Sequence, residues 1–380
     1  MNLNFITNLF KKSADERIDT PNTNIKSNKS FDKDSSKAFI EIGKLKASKR
    51  NFREAIDDFS KAIELDPSSM TGYLERSKAK RELNDKSGAD KDLAIGRRLL
   101  DNLDNGLKAN DDGNAAYDEG DYKNAIKFYN KAIPLIPTIT SIYYYRGCAK
   151  QYLEDYKGAV EDFDKSIEIG ASNCDLSYYQ RSKIKSHKLR DKEGALQDLN
   201  KAIELNPSDA DYYYSRAILV DDYDALQDLN KAVELEPQNA DNYIARSLRK
   251  KAMEDLEGSI IDLTKYIELN PQDNLLTVSE AYSLRAGMKL FQNNLEDALL
   301  DHNKAVEADP SNEKALVERG IVKDLLQDFE GAILDFNKAI EINPKYADAY
   351  YHRGAAKQNN GLEDEGVMDV IKAKTLGFEE

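Results

Sequence analysis

The chain has only two cysteines and three histidines, and it has no apolar run near the length of a membrane span. Each scarcity removes a class of function. Cys148 and Cys174 have no spacing that suggests a disulfide framework or a zinc site, so they read as buried or idle thiols of a reducing compartment. His187, His302 and His352 are scattered, with no second ligand at metal spacing. No stretch approaches the roughly 20 apolar residues that a transmembrane helix needs. The start, MNLNFITNLFKKS, has no cationic region ahead of its apolar part and is interrupted by asparagines, so it does not read as a secretory signal. The expected location is cytoplasmic. A positive balance is missing too. Lys and Arg total 55 against 69 Asp and Glu, and the net charge of −14 argues against a nucleic-acid footprint while leaving room for a basic partner. No nucleophile elbow, phosphate-binding glycine loop or zincin motif occurs, and the paired carboxylates fall where solvated helix faces carry them anyway. No catalytic constellation can be assembled, so neither enzymatic activity nor a cofactor or metal is expected.

What the chain does have is repetition. Pro344 follows Pro310 by 34 residues, and Pro271 follows Pro237 by the same 34. A period of this length means a solenoid, in which no unit buries its own apolar face and each must stack on its neighbours. Within EKALVERGIVKDLLQDFEGAILDFNKAIEINPKY, from Glu313 to Tyr346, Leu316, Val322 and Leu326 recur at helical spacing. Ala332, Phe336, Ala339 and Ile340 do so again, which predicts two short amphipathic helices. Gly320, Ala332 and Ala339 are small where helices must approach, and Pro344 stops the second helix.

These residues resemble the tetratricopeptide repeat (TPR) pattern. The unit is large at position four, small at eight and twenty, aromatic at twenty-four, small at twenty-seven and proline at thirty-two; Arg319 stands where leucine is usual. The texture RGxAK followed by DFNKAIExNP looks like that of bacterial TPR proteins. The resemblance runs over residues 36–380 and implies an all-α TPR superhelical solenoid. Taking position twenty as anchor, ten repeats follow one another at Ala55, Ala89, Ala125, Ala159, Ala195, Ala225, Ser259, Ala298, Ala332 and Gly366.

Residues 1–35 read as an N-terminal tail. A short amphipathic segment, Leu3 to Phe10, precedes Lys11 and Lys12, and the stretch from Ser13 to Asp34 is too poor in apolar residues to offset its ordering entropy. The segment fits contact with a membrane surface or docking into a groove, and fraying is the default for a terminus. Departures from the period are informative. Ala195 to Ala225 spans only 30 residues, and the missing four fall after Arg216, which predicts a first helix of repeat six shorter by about one turn and a notch beside it. Pro271 to Pro310 spans 39, with the extra residues in the loop around Asp273 to Val278. Asp101 replaces a spacer proline, so 101–113 reads as a joint, with a bend near Asn105 and Gly106 if the helix runs on. A calcium loop at Asp101 to Asp112 fails because Leu103 occupies a ligand position. After the last repeat no polar helix follows, so Val367, Val370 and Ile371 are expected to be partly wet or to give weak self-association.

An Arg and a Lys four apart mark most first helices, as in Arg76/Lys80, Arg285/Lys289 and Arg319/Lys323. An Asp precedes position twenty-four in every repeat but the third, which has Phe128 there, and the third also lacks the Arg and the Lys, having Asp112 and Ala116. That co-variation predicts an ion-pair ladder between the two helices of a repeat, in preference to a basic ladder for anionic ligands. In the TPR family the fifth position faces the concave groove, and here it gives Tyr144, Tyr179, Tyr214 and Tyr351, either as peptide-binding rings or as duplicated repeat text. The family's clamp for acidic chaperone tails needs Lys at five and Asn at nine of one repeat, a pair absent here. The expected role is a non-enzymatic scaffold or adaptor holding a peptide or protein partner in the groove. The candidate contact residues are Tyr144, Gln151, Tyr179, Lys183, His187, Tyr214, Ile244 and Lys251. A membrane-proximal assembly factor tethered by its N-terminus, or a regulatory subunit of an enzyme, are the alternatives.

Overall fold

The computed structural model describes residues 26–170, 174–269 and 277–378, and among them it contains nineteen α-helices and no strand. Close contacts divide the chain into two units after Glu154. The first holds α1 (Lys26–Ser48), α2 (Phe52–Leu65), α3 (Met70–Glu82), α4 (Lys86–Asp118), α5 (Tyr122–Ala132) and α6 (Thr140–Tyr152). The second begins with α7 (Tyr156–Ile169), α8 (Asp175–His187), α9 (Lys192–Leu205), α10 (Ala210–Ala217), α11 (Asp222–Leu235) and α12 (Ala240–Ala252). It continues with α13 (Leu256–Leu269), α14 (Val278–Phe291), α15 (Leu295–Ala308), α16 (Glu313–Leu325), α17 (Phe329–Ile342), α18 (Ala347–Asn359) and α19 (Glu363–Thr375).

The small residues of the repeat are explained by what they face. In α17, Ala332, Asp335, Phe336 and Ala339 are buried as one stripe at helical spacing. Phe336 fills the space left by Gly320 on α16, where an added Cβ would lie 2.6 Å from the ring. Gly43 meets Phe59, and Gly113 meets Tyr129, at the same 2.6 Å. Most first helices end on a left-handed residue followed by Asp or Asn; the shortened α10 lacks it, and Leu362 follows Gly361 after α18. Gln327 (φ 66°) turns the chain, and the Asp328 carboxylate then accepts from the Gly331 amide at 3.0 Å. The position-four tyrosines are tied to the spacer prolines: the hydroxyls of Tyr213, Tyr243 and Tyr350 donate to the carbonyls of Pro207, Pro237 and Pro344 at 3.2, 3.1 and 3.3 Å.

Three irregularities shape the array. Helix α4 runs unbroken for 33 residues and joins the second helix of repeat two to the first of repeat three. Residues 101–113 lie inside it, and the spacer that proline would have broken is absorbed into helix. Helix α10 has 8 residues, against 13 in α12 and α16, as the four-residue deletion requires. Helix α1 starts at Lys26, inside the stretch assigned to the tail by composition; once a helix is nucleated each further residue adds a hydrogen bond, so polar residues can prolong it. The remaining tail, including Leu3 to Phe10, and most of the loop at 273–278 lie outside the described residues.

Candidate functional site

The arginine–lysine–aspartate series is resolved as a set of ion triads. Arg319 donates to both oxygens of Asp335, Nε to Oδ2 at 2.8 Å and Nη2 to Oδ1 at 2.5 Å, and Lys323 Nζ approaches Oδ2 at 2.8 Å. Arg76/Lys80 hold Asp92, Arg246/Lys250 hold Asp262, Arg285/Lys289 hold Asp301 and Arg353/Lys357 hold Asp369 in the same way. The two cations outweigh the cost of burial at Asp92 and Asp369: desolvation alone would raise these carboxyls, and the Arg and Lys hydrogen bonds hold them below the usual range. The arginine also reaches backwards. Nη1 donates to an oxygen 16 residues earlier, on the second helix of the preceding repeat: Arg76 to Ser60 at 3.0 Å, Arg216 to Asn200 at 2.6 Å, Arg353 to Asn337 at 2.6 Å. Each guanidinium thus ties three helices, and these cations are spent on structure.

In the first unit, Tyr144 on α6 is half-buried and edge-on to Tyr145 (5.2 Å between ring centres), with Gln151 the last residue but one of the helix. The same unit holds an aromatic cluster that fifth-position reasoning missed. Tyr122 and Tyr152 stack in parallel at 4.3 Å, and Tyr117 meets both rings edge-on, together with Tyr145 at 5.5 Å. Burial pushes the Tyr117 hydroxyl well above its ordinary range. The ring of Tyr152 is 63% exposed, so the cluster reaches solvent. Its members come from three helices at different repeat positions, so no single register could have found it.

In the second unit, Tyr179 is more a packing residue than a free ring. It leans on Tyr212 at 4.9 Å, accepts from the Ser215 hydroxyl at 3.4 Å and carries Lys183 Nζ over its face at 5.2 Å. His187 is exposed, and its Nδ1 turns back to the Lys183 carbonyl and the Ser186 hydroxyl at 3.0 and 2.8 Å. Tyr214 and Ile244 are brought together. They line a recess of about 430 Å³ beside the short helix α10, with Ile218 and Leu248 on its rim and Ala252 and Leu284 completing the wall. Ile244 is only 3% exposed and forms the floor, whereas Ile218 and Leu248 are about half exposed. Burial raises the Tyr214 hydroxyl pKa. Lys251 faces the next cavity, about 970 Å³, which shares Leu284 with the first. That cavity is wide because Ser283 and Gly287 stand on α14 where larger residues would project; a Cβ on Gly287 would meet nothing within 4 Å. Glu318 and Phe291 complete its wall, with the Phe291 ring 87% exposed. The two recesses adjoin at Leu284, the first apolar and the second of mixed polarity.

Among the described residues no three His, Cys, Asp or Glu side chains converge as a metal site, and no helix is long and apolar enough to cross a membrane. A tetratricopeptide-repeat model matches residues 36–69, 113–138 and 176–209, and a second TPR-repeat model matches 325–361. Among solved structures, the C-terminal part of a TPR repeat-containing protein from Cytophaga hutchinsonii aligns with a TM-score of 0.55 and 16% identity, over 63% of this chain and 97% of that one. A tetratricopeptide repeat protein from Parabacteroides merdae aligns at 0.44 and 19% identity, over 70% of this chain and 99% of that one. YrrB, described as a TPR protein with an unusual peptide-binding site, aligns at 0.41 and 21%, over 47% and 92%. No curated protein matches the chain. The repeat matches, the stacked helix pairs and the likeness of fold agree: the chain is a tetratricopeptide-repeat protein, all-α, of a generally non-catalytic family whose fold serves as a scaffold for protein–protein interaction.

Proposed function

We propose that the protein is a non-enzymatic adaptor that holds an extended peptide of its partner along the first helices of repeats six to nine. The observation that carries this reading is the apolar recess beside α10, where a four-residue deletion has removed a helical turn and left Tyr214, Ile218 and Leu248 accessible around a buried floor. A recess of this kind suits one apolar anchor side chain, and a few such anchors dominate the energy of most interfaces. The wider cavity beyond Leu284 then receives the next part of the peptide. The ion triads support the reading indirectly: their cations are engaged in structure, so recognition falls to shape and aromatic contact.

Ala252 lines the recess and is exposed, so Ala252→Phe plugs it without entering the core. Partner bound by the parent protein on an affinity column in native extract should fail to bind this variant, while circular dichroism stays that of the parent. The matched control is Tyr351→Ala in repeat ten, whose ring is covered by Phe378 at 4.1 Å. Partner retained by the plugged variant and lost by the control would place the contact at the last repeat and refute this reading.

A further inference from the structure

The residue immediately before the triad aspartate lies on the solvent face of every second helix. In repeats one to six it is polar: Asp57, Lys91, Lys127, Glu161, Gln197 and Gln227. In repeats seven to ten it is Ile261, Leu300, Leu334 and Met368, and these are 60%, 62%, 68% and 66% exposed. A single exposed leucine needs no explanation. Four in consecutive repeats at one register do, and since Ile, Leu and Met all occur, the class of side chain persists while its identity changes. This is not copied repeat text.

The row is flanked by two others. Four residues earlier on the same faces stand Glu257, Glu296, Glu330 and Asp364; four residues later stand Lys265, Lys304, Lys338 and Lys372. Residues four apart on a helix are neighbours on one face. The second helices α13, α15, α17 and α19 therefore present an acidic row, an apolar row and a lysine row side by side. Lys265 and Lys304 are engaged only by exposed partners one turn on, Glu268 and Glu307 at 3.2 and 2.7 Å, contacts that are given up at little cost.

We propose that this face binds a second copy of the chain, about a two-fold axis running along the apolar row. That operation sets apolar row on apolar row and reverses the flanks, so each acidic row meets the partner's lysine row along antiparallel helices. The other two-fold in the plane, across the row, sets acid against acid and lysine against lysine and is disfavoured. The face is thus self-complementary for one arrangement only, as an isologous contact requires. It is separate from the peptide recesses, so adaptor function and self-association can fail independently.

The test is sedimentation equilibrium of the full chain over a concentration series. The parent should show a monomer–dimer equilibrium that weakens with salt. Leu300→Lys with Leu334→Lys should be monomeric at the concentrations where the parent is dimeric, with unchanged circular dichroism. Glu296→Lys with Glu330→Lys places lysine opposite lysine and should weaken the dimer by roughly tenfold. Adding Lys304→Glu and Lys338→Glu exchanges the two rows and should restore it. A parent that stays monomeric, a dimer untouched by the leucine changes, or a four-fold charge exchange that fails to rescue would each overturn the proposal.

Discussion

Removing the carboxylate of Asp335 tests whether the triads hold the array together. The side chain is 7% exposed, and its two cations, Arg319 and Lys323, are 18% and 19% exposed. In Asp335→Ala the guanidinium loses two short hydrogen bonds and the ammonium one, and two like charges are left facing each other in a site closed to most solvent. Breaking a buried pair by deleting one partner costs about 3–5 kcal/mol. The cation edges retain some water, so the lower end, about 3 kcal/mol, is expected here. A denaturation midpoint averages over the whole array, so a local readout is the sharper one for a single triad. Hydrogen exchange of peptides from α16 and α17 reads it locally: about 3 kcal/mol corresponds to opening roughly a hundredfold more frequent. Repeat six provides an internal comparison, because Arg216 holds Asp228 and the four-residue deletion has removed the turn that carries the lysine. Asp228→Ala strands one cation instead of two and should accelerate exchange less. Exchange in Asp335→Ala within about threefold of the parent would refute a structural role for the triads.

Two further outcomes follow from buried positions. His302 occupies the aromatic position of repeat eight and is pushed down to about 4, chiefly by burial, with Asp301 opposing and Arg319 adding to the effect. The unfolded chain therefore takes up the proton first, so the neutral imidazole contributes stability that is full above pH ~6.5 and is lost as pH falls towards 4. His302→Phe should remove up to about 3 kcal/mol of that pH dependence, read as a flatter denaturation midpoint from pH 6.5 to 4 than in the parent; an unchanged slope would show that His302 is charged or paired when folded. Gly320→Ala should destabilise by about 1–3 kcal/mol because its Cβ would meet the Phe336 ring at 2.6 Å, and the ring cannot retreat from a closed core. A denaturation midpoint above that of the parent would mean that helix propensity outweighs the clash there.

The fold was legible because every repeat restates the same packing problem, a small residue opposite a larger one, whether Phe336 in repeat nine or Leu199 in repeat five. The shortened α10 was legible for a related reason, since a deletion of one helical turn preserves the apolar register on either side. The recess beside it was only half legible. Tyr214 and Ile244 stand at the fifth position and were nominated, but Ile218, just past the end of α10, and Leu248 and Leu284, on α12 and α14, stand at other positions. The Tyr117–Tyr122–Tyr152 cluster escaped for the same cause: rings from successive helices meet only after stacking, and sequence spacing along one helix carries no trace of it.

The arginine ladder shows how far internal comparison can reach. Repeat three lacks the arginine, the lysine and the aspartate together, which was enough to pair them within a repeat without any structure. The third partner, an Asn, Asp, Ser or Thr on the preceding repeat, could not be inferred, because such polar residues are common at exposed helix positions for many reasons. Yet that contact changes the functional argument. A guanidinium held by its own repeat and by the one before it is fixed in orientation and neutralised, as when Arg285 engages Asp301 and also donates to Thr264 at 2.9 Å. Cations so held present no positive row to a ligand. What remains accessible near the recesses is apolar surface with the Phe291 ring, and two lysines, Lys251 and Lys314, balanced by Glu254, Glu280 and Glu318. On the proposed reading the partner is selected by the size and spacing of its apolar side chains, and its binding should depend only weakly on salt. A binding constant that falls steeply with added salt would instead mean that the triads open to the ligand.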